Sequence, residues 1–217
     1  MTDLFNLEET IAIDLLKELN YPWEAISKIH DFIYKLGENL NRNEYNYREN
    51  DVWVHKSAKV YESACIKGPA IICADSEIRH CAFIRGDVII GKGSVIGNST
   101  EIKNSILFNE VQVPHYNYVG DSILGYKSHM GAGAIISNIK SDKTSVIVDY
   151  KGVRIDTKLR KLGAIVGDNV EIGCNSVLNP GTIIERNSNI YPLSMVRGTV
   201  KESSIYKNKN EIVKKFN

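Results

Sequence analysis

A six-residue period runs through the middle of this chain and excludes most ways in which it can fold. Stepping in sixes from Val54 meets Val60, Ile66, Ile72, Ile78, Ile84, Ile90, Ile96, Ile102, Phe108 and Pro114. Two positions before the steps stand Ala58, Ala64, Ala70, Ser76, Ala82, Ser94 and Thr100, with Val88 the one larger member. A helix repeats near 3.6 residues and a strand at 2, so a sustained six marks a repeat architecture. One short strand and one turn per hexad, three hexads per coil, and one inward aliphatic per strand account for the pattern. The small residue falls where the coil turns and neighbouring coils crowd. The period returns at Val166 and runs through Ile172, Leu178, Ile184, Ile190 and Val196, with Ala164, Ser176, Thr182, Ser188 and Ser194 at the corners. The expected fold is all-β, a parallel β-helix of six to seven coils.

A chain of 217 residues with net charge +1 is long enough for one such core plus an appendage. Its charge is too balanced for a dedicated nucleic-acid binder. The sequence shows no signal peptide and no apolar run near eighteen residues, so the expectation is a soluble, cytoplasmic protein with no membrane contact. Cys65, Cys73, Cys81 and Cys174 form no CxxC pair. That pattern gives neither a zinc cage nor a disulfide framework, and small apolar fillers are expected.

Residues 1–50 are of another kind. Leu4, Leu7, Ile11, Leu15 and Leu19 fall at helical spacing behind Asp3, a cap. Pro22 opens a second helix carrying Ile26, Ile29, Ile33 and Leu36, with Gly37 as its stop signal. Residues 39–50 read as a linker wrapping onto the coil. The β-helix is expected over residues 51–203. Between 139 and 161 the period vanishes, and Lys151-Gly152 between two strand-like runs predicts a hairpin thrown out of the coil. Residues 204–217 form a lysine-rich tail, expected to be a frayed end.

The ladder stumbles after Pro114, where Val113, Val119, Leu124, Met130 and Ile136 are spaced six, five, six and six. Irregularity in a regular scaffold is where function is expected. His115 follows the proline at this slip, Tyr118 lies three residues on, and Gly131, Ala132 and Gly133 let a ligand approach the backbone closely. Arg85 and Lys103 are one coil apart, each directly after a ladder residue. With coils ~4.8 Å apart, two stacked cations repel by roughly 3 kcal/mol at an effective dielectric of ~20. Unless Glu101 neutralises them, an anion compensates, and a phosphate suits the arginine fork.

Residues 115–122, Gly131-Ala132-Gly133 and Asn138 resemble the acetyltransferase half of the bifunctional enzymes that make UDP-N-acetylhexosamine. Similarity is greatest to the branch acting on both glucosamine-1-phosphate and galactosamine-1-phosphate. Residues 101–106, 142–144, 151–157 and 160–165 are similar to that branch too, so the resemblance covers roughly residues 51 to 200. Tyr21-Pro22-Trp23 resembles the segment that joins the two halves there.

This hexapeptide-repeat family implies a left-handed coil, a homotrimer with active sites between subunits, and acetyl-CoA as co-substrate. It implies His115 as general base and a hexosamine-1-phosphate bound by Arg85, Glu101, Lys103, Tyr118, His129, Lys143 and Asn138. It places Gly131, Ala132, Gly133, Cys174, Pro192 and Arg197 along the coenzyme. His129 stands where asparagine is common, and Tyr116 where leucine is usual, which bears on the choice of sugar. The glycine-rich nucleotidyltransferase domain of the bifunctional enzymes has no counterpart here, so the acetylating half alone is expected.

An amine must lose a proton to attack a thioester, work that suits an imidazole. Asn138, or an N–H of the glycine loop, is the candidate donor to the oxyanion. No metal site is expected. Other readings remain open: acylation of another amino sugar, a scaffold for a separate nucleotidyltransferase, or zinc held between subunits by histidines such as His80, His115 and His129, as in γ-type carbonic anhydrases.

Overall fold

A computed structural model describes residues 1–215. Successive strands belong to successive sheets, and the chain winds as a left-handed parallel β-helix with three faces. The first face runs from Val52–His55 to Thr199–Val200, the second from Lys59–Val60 to Ser204–Asn208, and the third from Cys65–Ile66 to Met195–Val196. Seven strands on the third face close seven complete coils, the upper end of the expected range, and two further sides begin an eighth. Corners are named here by order: the first joins faces one and two, the second faces two and three, the third returns to face one.

The inward aliphatics, from Ile72 and Ile78 through Ile84 to Leu178 and Val196, are fully buried. At the corners the small residues also carry hydrogen bonds. Ser76, Ser94 and Thr100 donate to the carbonyls of Gly91, Phe108 and Val113 at 2.9, 3.0 and 3.1 Å, each one coil on. Turning so tightly puts a residue of each coil in the left-handed region. At the second corner these include Ser99 (φ 52°), Tyr116 (φ 52°) and Leu193 (φ 60°).

The inner ladder departs from the expected one at a single place. Ile90 pairs with Leu107 and Ile96 with Val113, so Phe108 and Pro114 are not ladder residues. Phe108 turns out at the first corner, where Phe5 covers it at a centroid distance of 4.9 Å. The ladder shortens to five residues twice, from Ile102 to Leu107 and from Val119 to Leu124, and both short steps are at the third corner. A full step there uses two left-handed residues, Gly86 and Asp87, whereas the short ones use only Asn104 (φ 44°) and Asp121 (φ 51°). The irregularity therefore sits one corner away from His115.

The amino-terminal arm is less helical than its periodicity predicts. Asn6, not Asp3, caps a short 3-10 turn over Leu7–Glu9. The Thr10 hydroxyl accepts from Ala12 N–H at 3.1 Å and diverts the chain before a one-turn helix at Ile13–Leu16. Pro22 opens a 3-10 turn over Pro22–Ala25, and the second helix spans only Ile29–Glu38. Gly37 lies inside that helix, because an added Cβ would stand 2.5 Å from the Trp53 ring. The expected linker contains a strand, Tyr45–Arg48, antiparallel to Val52–His55.

The arm covers the outer side of face one. Trp53, Ile71, Ile89, Ile106, Ile123, Ile165 and Ile183 form an outer ladder there, and all are buried. Helix Ile29–Glu38 packs on Ala70–Ile72 and Val88–Ile90. Each isoleucine buried this way contributes about 1.5–3 kcal/mol.

The excursion is a hairpin, Ile147–Tyr150 with Val153–Asp156, closed at its base by a bridge between Ile139 and Lys161. It docks on the arm. Tyr150 meets Trp23 edge-on at 5.7 Å, and Lys151 pairs with Asp3. The tail is not a frayed end as far as it is described: Glu211–Lys214 folds back antiparallel on Ser204–Asn208, adding a last strand to face two. Residues 216 and 217 of that tail lie outside the described residues. Of the cysteines only Cys73 is a buried filler, its thiol pushed up to about 12 by burial, while Cys65, Cys81 and Cys174 are exposed.

Candidate active site

Polar groups concentrate at the third corner, where the two short steps fall. Lys103 ends strand Glu101–Lys103, with Nζ 3.3 Å from Asp121 Oδ1. Asn104 Nδ2 donates to the same oxygen at 2.9 Å. Asn138, leaving the next coil, donates from Nδ2 to Asp121 and to the Tyr118 hydroxyl, the latter at 3.2 Å. Burial, then the Asp121 charge, push the Tyr118 phenol above its ordinary value, which keeps it a protonated donor. Gly120 clears the space, since a Cβ there would stand 2.6 Å from the Tyr118 oxygen.

Arg85 stacks one coil before Lys103 at this corner, as its spacing predicts. The condition set on Glu101 is met, so no anion is needed to offset the pair. Glu101 bonds Arg85 at 2.6 Å and Asp121 bonds Lys103, so each cation has its own carboxylate. A single guanidinium nitrogen, Nη1, makes the Glu101 contact, which leaves further donors of the fork for a ligand.

His115 ends strand Gln112–His115 at the second corner. Its N–H donates to Asn117 Oδ1 at 3.0 Å and its carbonyl accepts from Gly133 N–H at 3.0 Å, which fixes the backbone and leaves the ring exposed. Asn117 occupies a corner position that other coils fill with Ala, Ser or Thr. Its amide also donates to the carbonyls of Gly131 and Ala134 at 2.8 and 3.1 Å, tying the His115 coil to the glycine loop. Above His115 the corner continues through Ala132 and Gly133 to Cys174 and then Pro192, one coil each. An added Cβ on Gly131 would stand 3.0 Å from Cys174 Sγ, so this column needs glycine to stack.

Several expected members lie apart. Asn138 is at the third corner, and His115 at the second, so Asn138 cannot serve as an oxyanion donor beside His115 of its own chain. Gly131 and Gly133 N–H are committed to Ile172 and His115 carbonyls at 2.7 and 3.0 Å, so neither supplies that donor. Arg197 is likewise at the third corner, next to Asn179, away from Cys174 and Pro192. His129 points outward from face two and bonds Glu171 at 2.8 Å. Lys143 sits on an exposed turn of the excursion, and Lys140 takes the inner position instead. His80 shares the second corner with His115 two coils away.

A cavity of about 460 Å³ opens between the hairpin and the third corner, lined by Ser137, Lys140, Asp149, Arg154, Asn179 and Arg197 among others. Arg154 and Arg197 have no ion-pair partner among the described residues. Asp121, Asn117 and Arg154 were not singled out from sequence. The one available signal was the Asn at a small-residue position.

Comparison with known proteins follows the same residues. The family described as GMPPB C-terminal domain matches residues 66–183. The bifunctional protein GlmU of Methanococcus maripaludis is 34% identical over 202 residues, covering 90% of this chain and 48% of the relative. The bifunctional sugar-1-phosphate nucleotidylyltransferase/acetyltransferase of Sulfurisphaera tokodaii is 35% identical over 177 residues, covering 73% and 44%. An uncharacterized acetyltransferase of Escherichia coli, YaiX, is 30% identical over 187 residues, covering 78% and 80%. The chain spans about half the length of the bifunctional relatives.

Proposed function

We propose a reaction from one established premise: this chain belongs to the hexapeptide-repeat acyltransferases, in the family described as GMPPB C-terminal domain. The reaction is transfer of acetyl from acetyl-CoA to the amine of a hexosamine-1-phosphate. The observation that carries it is an open third face flanked by a free imidazole at one edge and the Lys103, Tyr118 and Asn138 cluster at the other.

The chemistry follows from those groups. The sugar phosphate lies at the third corner, where Arg85 keeps free donors, Lys103 supplies charge and the Tyr118 hydroxyl donates. His115 takes the proton that the amine loses as nitrogen attacks the thioester carbon. The new N–C bond forms, the C–S bond breaks, and that proton passes to the departing thiolate. The coenzyme arm runs along the column of Ala132, Cys174 and Pro192, and Arg154 and Arg197 in the cavity of a second copy, whose third corner faces that column, receive its phosphates.

His115 and Lys103 belong to opposite edges of face three. From His115 to Gly120, the partner of Lys103, is five residues, or roughly 16 Å at ~3.3 Å each. A hexosamine phosphate does not bridge that. A symmetric trimer brings the second corner of one copy to the third corner of the next. Exposed Leu193, Met195, Val177 and Ile135 along this edge and face support such a contact.

The test is thiol release from acetyl-CoA with glucosamine-1-phosphate, galactosamine-1-phosphate and the unphosphorylated sugars. Release is expected with one or both phosphates and not with the free sugars. Release with free sugars at equal efficiency would remove the phosphate corner from the reading, and no release with any amino sugar would remove the reaction.

A further inference from the structure

Asp121 is a carboxylate with 3% exposure, placed at the second of the two short steps. Lys103 Nζ stands 3.3 and 3.4 Å from its two oxygens, Asn104 Nδ2 2.9 Å from Oδ1, and Asn138 Nδ2 donates to Oδ2. An ionised carboxylate only accepts hydrogen bonds, so it admits one orientation of the Asn138 amide, with NH2 turned inward. The second N–H of that amide goes to the Tyr118 oxygen at 3.2 Å. Two atoms are left over. Asn138 Oδ1 faces away from Asp121 and meets no donor among the described residues. Tyr118 has received a hydrogen bond, so its own O–H remains to be given. Gly120 is required for this arrangement, because a Cβ would stand 2.7 Å from Asn138 Nδ2.

We propose that Asp121 is a positioning residue that sets the hydrogen-bond polarity of the sugar subsite, presenting Asn138 Oδ1 as an acceptor beside the Tyr118 O–H as a donor. The ligand that fits offers a hydroxyl or amine donor next to an anionic acceptor. Asn138 then reads a substrate donor and takes no part in stabilising an oxyanion. This rests on the acetyl-transfer reading only for the identity of the ligand; the polarity belongs to the free protein.

Two experiments test it separately. In the free, 15N-labelled protein, the Asn138 side-chain amide protons are expected to exchange with solvent about tenfold or more slowly than those of an exposed asparagine, because both are bonded. Exchange at the exposed rate overturns the proposal, whatever the enzyme does. In steady-state assays Asp121→Asn frees the amide to flip. It is expected to raise KM for the sugar phosphate about tenfold or more while KM for acetyl-CoA stays within about twofold. Because Asp121 acts through the Asn138 amide, adding Asp121→Asn to Asn138→Ala should raise the sugar KM by no more than about twofold beyond that of Asn138→Ala alone. An unchanged sugar KM in Asp121→Asn, an equal rise in both KM values, or a further tenfold rise on adding Asp121→Asn to Asn138→Ala overturns the proposal. A wild-type protein that acetylates no amino sugar removes the reaction instead and leaves amide exchange to decide the polarity.

Discussion

The His115 ring makes no hydrogen bond among the described residues, whereas its backbone is held on both sides by Asn117 and Gly133. A side chain that contributes no packing yet stands on a fixed backbone is suited to proton transfer, since its position costs little to maintain and its nitrogen is free to meet an amine. His115→Ala should therefore separate activity from stability. Turnover in the acetyl-transfer assay is expected to fall by ~10²–10⁴, while the unfolding midpoint shifts by no more than about 0.5 kcal/mol, the usual range for exposed positions. Retention of near-full turnover would remove His115 as the base. The converse holds one residue pair away. Asn117 is 3% exposed and carries bonds to three residues, so its loss is expected to act on the corner that presents His115 rather than on a proton.

At the level of elements, one buried carboxylate fastens the arm to the coil. Asp168 is fully buried at the first corner, where it accepts from Asn6 N–H at 2.6 Å, Tyr126 N–H at 2.9 Å and Arg186 Nη2 at 2.6 Å. Asp168→Ala leaves the Arg186 charge and two N–H groups without their acceptor. The expected cost is about 3–5 kcal/mol, read as a lower denaturant midpoint together with faster proteolysis within the arm. A midpoint within about 1 kcal/mol of wild type would show that the arm is held by apolar packing alone. The same elements show what could be read in advance. The hexads were legible because every rung repeats one steric demand, a small corner and an inward aliphatic. The hairpin was legible because Lys151-Gly152 permits left-handed φ at both turn positions (52° and 76°). The short step from Val119 to Leu124 was legible as a five in the spacing, but the one from Ile102 to Leu107 was not, because Phe108 and Pro114 are apolar at the expected spacing and mimic a ladder that had already moved to Leu107 and Val113. Asp121 carries no periodic signal, and its partners Lys103 and Asn138, eighteen and seventeen residues away, converge on it only because the corner is short. Gly37 looked like a helix stop, while its actual constraint, the Trp53 ring, comes from sixteen residues on in another element.

For the molecule as a whole, the arm decides which surfaces another copy can use. Face one is sealed by helix Ile29–Glu38 and the hairpin, so any contact between copies is left to faces two and three. Face three is bounded by the His115 corner and the Lys103 corner, and along it Val177, Met195 and the neighbouring Leu193 are exposed, Leu193 at 79%. Closing three prisms around an axis covers that apolar strip and pairs unlike corners, which is the same step that completes the proposed site. Complementation between inactive proteins tests the two together. His115→Ala lacks the proposed base and Lys103→Ala lacks the charge at the proposed sugar corner, so each protein alone should be inactive. Subunits exchanged between them form mixed trimers in which some interfaces join an intact second corner to an intact third corner. Thiol release should reappear in the mixture, in proportion to the mixed trimers counted by native mass spectrometry. Mixed trimers that form and stay inactive would put base and sugar corner in a single chain, across a distance the geometry of face three does not bridge.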